Sequence, residues 1–326
     1  MSQTLLDAPD LREQAPLSLG DYLDSWLAHV RGRVRAKTYD GYECLIRLYV
    51  PAELRELALA AVSPLDLQRM YSALLARGLS AGTVVNLHLV MTQALRQATR
   101  WGLIPANPAA GAQPPRPRRP EIALVDPSLA ERILDATAGT SFELPAAMAI
   151  ATGMRRGEIL ALRWTDLDPD LGTARVVRTL QTADGRLVFE EPKTRRSRRA
   201  VALPAFVRPY LERQRRDQAA RRKGSPSWKD LDLVIDSGDG SPMNPDTLSS
   251  GWYRFCKRSG LPHVRFHDLR HAHATFMLLQ GVHPKIVSER LGHASVGITL
   301  DTYSHVLPTL QQEAAAAFDQ LFSPRL

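Results

Sequence analysis

The chain has 326 residues, 44% of them hydrophobic and 23% charged, and a formal net charge of +8. These are ordinary soluble-globular values with volume for more than one hydrophobic core, and the basic excess points to a polyanionic partner. They exclude a bilayer-spanning segment, since no apolar run nears the roughly 20 residues required, and a disulfide or metal scaffold, since Cys44 and Cys256 stand far apart.

Residues 1–16 form a polar, acidic tail without the apolar stretch of a secretory signal, so a soluble intracellular protein is expected. Residues 17–104 read as almost entirely helical. Tyr22, Leu23, Trp26, Leu27 and Val30 recur at helical spacing, as do Leu67, Met70, Tyr71 and Leu74, and then Val84, Leu87, Met91, Ala94, Leu95 and Ala98. Ser63-Pro64 marks one helix start, Gly78 an end, and Ser80 or Thr83 the next cap. The segment predicts a small helical bundle. Its basic stretch Arg31, Arg33, Arg35, Lys37, Thr38 and Tyr39 offers phosphate and groove contacts, or an ordinary solvated surface.

Six prolines between Pro105 and Pro120 predict an extended linker, and Arg116, Arg118 and Arg119 within it are candidate phosphate contacts. Beyond it, the apolar run Leu144 to Ala151 ends at Gly153. Three short strands are expected at 174–180, 187–191 and 200–203, with Asp184-Gly185 as the hairpin turn. Lys193, Thr194, Arg195, Arg196, Ser197, Arg198 and Arg199 form a basic connection before the third strand. Helices follow near 205–222, 245–259, 266–280, 284–291, 295–305 and 308–322, the last with an apolar stripe. The fold class is mainly α with a small antiparallel β-sheet, in two domains.

Four stretches of the second domain carry chemistry. Thr152 to Glu158 breaks at Gly153 and places Arg155 at a helix start. Lys193 lies in the basic connection. In His267-Asp268-Leu269-Arg270, one helical turn puts His267 and Arg270 on one face. Leu291-Gly292-His293 precedes Tyr303 by ten residues. Two arginines supply bidentate clamps for a phosphodiester, a lysine a proton for a leaving oxygen, histidines hydrogen bonds or proton transfer, and a tyrosine a covalent nucleophile. Fixed cations stabilise the charge gathered on phosphate oxygens without a metal, which suits a sequence with no carboxylate cluster for Mg²⁺. A zinc site on His267, His271 and His293 is disfavoured because Arg270 would sit beside the ion. His271, His273 and His305 read as packing or hydrogen-bonding neighbours.

In order and spacing these stretches resemble the tyrosine recombinase, or phage integrase, family, over nearly the whole chain. The resemblance implies a helical core DNA-binding (SAM-like) domain at 17–108, a linker at 109–120 and a catalytic domain at 121–326 that ends in a docking helix. It implies that Arg155 and Arg270 bind the scissile phosphate, that Lys193 protonates the leaving 5′-hydroxyl, and that His267 assists as base or donor. His293 would brace the phosphate, Glu158 would support the site, and Tyr303 would form a 3′-phosphotyrosyl intermediate. Arg195 and Arg196 would touch DNA beside Lys193. No cofactor or metal is implied. The implied partners are duplex recombination sites held by a homotetramer, with a monomer in free solution and directionality or accessory proteins open; the implied location is cytoplasmic, at the nucleoid. The larger family members' arm-binding domain is not expected. A catalytically silent DNA-binding regulator and a type IB-like topoisomerase are the alternatives.

Overall fold

The computed structural model describes residues 16–117, 125–192 and 198–303, together with Ala315, Phe318 and Asp319. The chain divides into two units, Met1–Pro120 and Glu121–Leu326. Among the described residues, no helix is long and apolar enough to cross a membrane.

The first unit is a bundle of α1 (Leu19–Val30), α2 (Ala36–Tyr49), α3 (Ala52–Arg55), α4 (Pro64–Ala76) and α5 (Ala81–Arg100). Local chemistry sets the starts. The Ser18 hydroxyl accepts the Asp21 N–H at 3.0 Å, and the Ser80 hydroxyl accepts that of Thr83 at 3.1 Å. Ser63 and Asp66 form a reciprocal capping box, with Pro64 at the first helical position, where its missing N–H costs nothing. The apolar stripes close on one core around Tyr22, Trp26, Leu67, Tyr71, Leu87, Met91 and Leu95, each fully buried leucine contributing about 2 kcal/mol. Tyr22 donates its hydroxyl to the Ala94 carbonyl at 2.5 Å, so its polar end is satisfied inside that core.

The expectation of an extended linker from Pro105 needs correction. Pro108–Gly111 is a turn of 3-10 helix, opened by Asn107 accepting the Ala109 N–H at 2.9 Å. Ala109 and Ala112 are buried in the first unit's core. Proline is tolerated at a helix start, and alanines are small enough to pack there.

The second unit holds α6 (Pro127–Thr137), α7 (Glu143–Thr152), α8 (Arg156–Ala161), β1 (Thr173–Val176), β2 (Thr179–Ala183), β3 (Arg186–Glu190) and β4 (Arg199–Ala202). It continues with α9 (Arg208–Lys223), α10 (Pro245–Arg258), α11 (Asp268–Leu279), α12 (Pro284–Leu291) and α13 (Val296–Tyr303). Every residue of α7 from Leu144 to Thr152 is buried. A helix apolar all round belongs at the centre of a core, and α7 occupies it, packed against α6, α8, α9 and α11. Trp252, Phe255 and Phe266 complete the core with Phe142.

The strand expected at 174–180 is two strands. β1 pairs antiparallel with β4, and β2 with β3, giving two ribbons instead of one three-stranded sheet. The break falls at Val177 and Arg178, where Arg178 donates Nε to the Ala161 carbonyl at 2.7 Å and lies over the Phe189 ring at 4.4 Å. The β2–β3 turn has positive φ at both Asp184 (52°) and Gly185 (69°), as a tight hairpin requires. Of the helix expected at 308–322, all but Ala315, Phe318 and Asp319 lie outside the described residues.

Candidate active site

Gly153 starts the site. It ends α7 in the left-handed region, at φ 63°, and a Cβ there would stand 2.6 Å from both His273 Cδ2 and Leu291 Cδ2. Only glycine meets both demands. The turn it makes lets α8 begin at Arg156, with Arg155 as the capping residue. The Arg155 backbone N–H donates to Glu158 Oε2 at 2.8 Å and its Nη1 to Oε1 at 2.9 Å. One carboxylate therefore caps the helix and braces the arginine. Arg155 and Glu158 form an ion pair, while Arg155 keeps 41% of its side chain exposed.

Arg270 comes from the start of α11. Asp268 turns away from the site to Arg265, accepting its backbone N–H at 2.8 Å and Nη2 at 2.7 Å, which fixes that first turn. Arg270 is 3% exposed and donates Nη1 to the Gly153 carbonyl at 2.5 Å and Nη2 to that of Leu291 at 2.8 Å. Arg155 donates Nη2 to the next carbonyl along, Gly292, at 3.2 Å. The two guanidiniums thus dock on consecutive peptide groups immediately before His293. Two guanidiniums fixed side by side suit an anion such as a phosphate chemically.

His267 precedes α11, its ring 5.0 Å from that of His271 and perpendicular to it. His267 is exposed as a residue, yet desolvation by the surrounding protein, with His271, Arg270 and Arg155 opposing a further positive charge, lowers its pKa to about 4. Burial, then Arg270 and Arg155, lowers His293 likewise to about 4. At neutral pH both rings are uncharged. His293 Nδ1 lies 2.8 Å from the buried Thr299 hydroxyl, which orients the ring and leaves Nε2 for another partner.

Arg155, His267, Arg270 and His293 are therefore brought together. Tyr303 closes α13; its side chain lies outside the described residues, but its backbone stands four residues after Thr299, one turn along the same helix face. Lys193, Arg195, Arg196, Arg118 and Arg119 lie outside the described residues. Arg31, Arg33 and Arg35 occupy the turn between α1 and α2, with Lys37, Thr38 and Tyr39 on the first turns of α2; Arg31, Arg33, Lys37 and Arg116 are exposed, and Arg31 sits over the Tyr39 ring at 5.4 Å.

Two residues escaped the sequence reading. Arg199, taken for part of a basic connection, begins β4 with its side chain 7% exposed and paired to Glu158 at 3.0 Å. Its signal was the strand period, which puts Arg199 on the same inward face as Val201. Arg290 donates Nε to His273 Nε2 at 3.0 Å and Nη2 to the carbonyls of Ala151 and Ala202. His273 Nδ1 is 2.8 Å from the Ile150 carbonyl, which can only accept, so the proton sits on Nδ1 and Nε2 receives the arginine.

This wiring predicts a pH dependence. Burial, with Arg290 adding to it, lowers the His273 pKa to about 4, below the ordinary 6.5. The unfolded chain then takes up the proton first as pH falls. Stability from this residue is full above pH 6.5 and lost as pH drops toward 4, about 2 kcal/mol of it by pH 5. Thermal unfolding at pH 5 and 7 should give a clearly lower Tm at pH 5, with a smaller difference in His273→Asn. Equal Tm values at both pH values would contradict the assignment.

Comparison with known proteins places these features. Residues 125–309 match the Phage integrase family, and residues 18–75 match the Phage integrase, N-terminal SAM-like domain. A tyrosine recombinase XerC-like protein of Caldanaerobacter subterraneus subsp. tengcongensis is 28% identical over 94% of this chain and 84% of its own length. Among solved structures, the Tn1549 transposon integrase in complex with a circular intermediate DNA superposes with a TM-score of 0.79 at 21% identity, covering 94% of this chain and 99% of that one. A lambda integrase tetramer bound to a Holliday junction superposes with a TM-score of 0.66 at 19% identity, covering 88% of this chain and 78% of that one.

Proposed function

This chain belongs to the phage integrase family, and from that premise we propose that it is a site-specific DNA recombinase that cuts and rejoins duplex DNA for the integration or excision of a mobile element. The observation that carries this reading is the docking of Arg155 and Arg270 on the consecutive carbonyls of Gly292 and Leu291, beside two uncharged histidines. That is a seat for one phosphodiester.

In the proposed reaction the Tyr303 hydroxyl attacks the scissile phosphorus. A P–O bond to the tyrosine forms as the bond to the 5′-oxygen breaks, and Lys193 gives the departing oxygen its proton. Arg155 and Arg270 meet the charge that builds on the non-bridging oxygens, where preorganised donors act most strongly. Neutral His267 accepts the phenolic proton or donates a hydrogen bond, and His293 Nε2 braces the phosphate. The phosphotyrosyl ester retains the energy of the broken bond, so a 5′-hydroxyl from the partner duplex reverses the step without an external energy source.

Recombination joins two duplexes, so four copies acting on paired sites are the expected assembly, in the cytoplasm at the nucleoid. The basic residues of the α1–α2 turn and Arg116 would add sequence-independent phosphate contacts. A nicked suicide duplex carrying the chain's own site tests the reading: the wild-type protein should become covalently attached through a 3′-phosphate. A protein that binds this duplex and forms no adduct would be a silent regulator, and relaxation of supercoiled DNA lacking any site would mark a topoisomerase.

A further inference from the structure

Glu158 is held from two sides. Its Oε1 accepts Nη1 of Arg155 at 2.9 Å and Nη1 of Arg199 at 3.2 Å, while Oε2 accepts the Arg155 backbone N–H at 2.8 Å and Nη2 of Arg199 at 3.0 Å. Arg199 alone grips both oxygens with its guanidinium fork, so the plane of the carboxylate is set by that residue. The same guanidinium donates Nε to the Arg290 carbonyl at 2.5 Å and lies against Gly292, where a Cβ would come within 2.9 Å of its Nη1. Arg155 rests on Glu158 as well, and on the carbonyl of the same Gly292 that Arg199 packs against. A closed circuit results, from Arg155 through Glu158, Arg199 and the end of α12 back to Arg155.

We propose that Arg199 is a positioning residue of the cleavage step: it orients the Arg155 guanidinium toward the scissile phosphate by fixing both of that arginine's supports. The proposal rests on the recombinase reading. Arg199 itself is too enclosed to reach DNA and acts through Arg155. Lysine at this position keeps the charge and loses the fork.

The test compares single-turnover cleavage by wild type, Arg199→Lys and Arg199→Met on two nicked duplexes carrying the site that this protein selects from a randomised library. One has a normal scissile phosphate. The other has a methylphosphonate there, which removes the non-bridging charge that Arg155 serves. On the normal duplex both variants should cleave roughly 10–100-fold more slowly, with DNA affinity within about twofold of wild type. On the methylphosphonate the deficit should shrink to within about threefold, because the transition state there carries one negative charge fewer and one remaining non-bridging oxygen, so a misdirected guanidinium costs less. A deficit of equal size on both duplexes would overturn the proposal and leave Arg199 a structural residue, as would loss of folding in both variants by thermal unfolding. Wild-type rates on the normal duplex in both variants would overturn it too, since Arg155 would then need no help from Arg199. Absence of wild-type cleavage on the normal duplex would instead sink the recombinase reading.

Discussion

Tyr303→Phe protein should bind its DNA site within about twofold of wild-type affinity and yield no covalent adduct and no recombinant product. The substitution removes one oxygen atom. Because rate enhancements of this chemistry run over many orders of magnitude, loss of the nucleophile takes cleavage below detection instead of merely slowing it. The fold gives reason to expect binding to survive. α13 packs on α12, and Thr299, one turn before Tyr303, ties the helix to His293 through its own hydroxyl. Denaturing gel electrophoresis of a suicide substrate, beside a mobility shift on the intact site, reads both outcomes. A Tyr303→Phe protein that still recombines DNA would refute the assignment of the nucleophile and with it the chemistry.

Arg270→Ala should lose both activity and stability, by separable amounts. Removing a preorganised donor from a developing phosphorane charge costs on the order of 10³-fold in cleavage rate. The same change strips the donors from two carbonyls, Gly153 and Leu291, around a residue only 3% exposed. An orphaned buried carbonyl costs about 1–3 kcal/mol, so for the two a loss of roughly 2–6 kcal/mol in unfolding free energy is expected. Arg270→Lys retains charge and one donor direction, and should recover part of the stability and less of the rate. Chemical denaturation followed by single-turnover cleavage below the lowered midpoint distinguishes the two. An Arg270→Ala protein as stable as wild type would mean that the arginine does not knit α7, α11 and α12 together.

Much of the fold is legible in the residues themselves. The helical spacing, the Ser63-Pro64 and Ser80 starts and the Asp184-Gly185 turn are local chemistry, and local chemistry reads directly from sequence. The apolar run Leu144 to Ala151 and its end at Gly153 are legible as well, while its helical form emerges only in the fold. The strand at 174–180 was misread because its break is imposed from a distance, by the pull of the Ala161 carbonyl and the Phe189 ring on Arg178. Ala109 and Ala112 were assigned to a linker because their burial depends on a core assembled from residues far earlier in the chain. The residue types proposed to bind phosphate, and their order, are read from the sequence as well. Their supports are not: Arg199 looks like one more surface cation until Glu158, 41 residues away, is folded against it.

The docking of both arginines on the main chain has an evolutionary meaning. Gly153, Leu291 and Gly292 offer peptide oxygens, and a peptide oxygen is the same whatever side chain accompanies it. The geometry of the seat is thereby recorded in chain length and in two left-handed glycines more than in residue identity. An exchange of the Leu291 side chain leaves its carbonyl in place, whereas Glu158 and Arg199 hold Arg155 through their own charged groups. A single inserted or deleted residue between Leu291 and His293 has no such freedom, because it would slide one carbonyl out from under its guanidinium and shift the register of everything that follows, Tyr303 included.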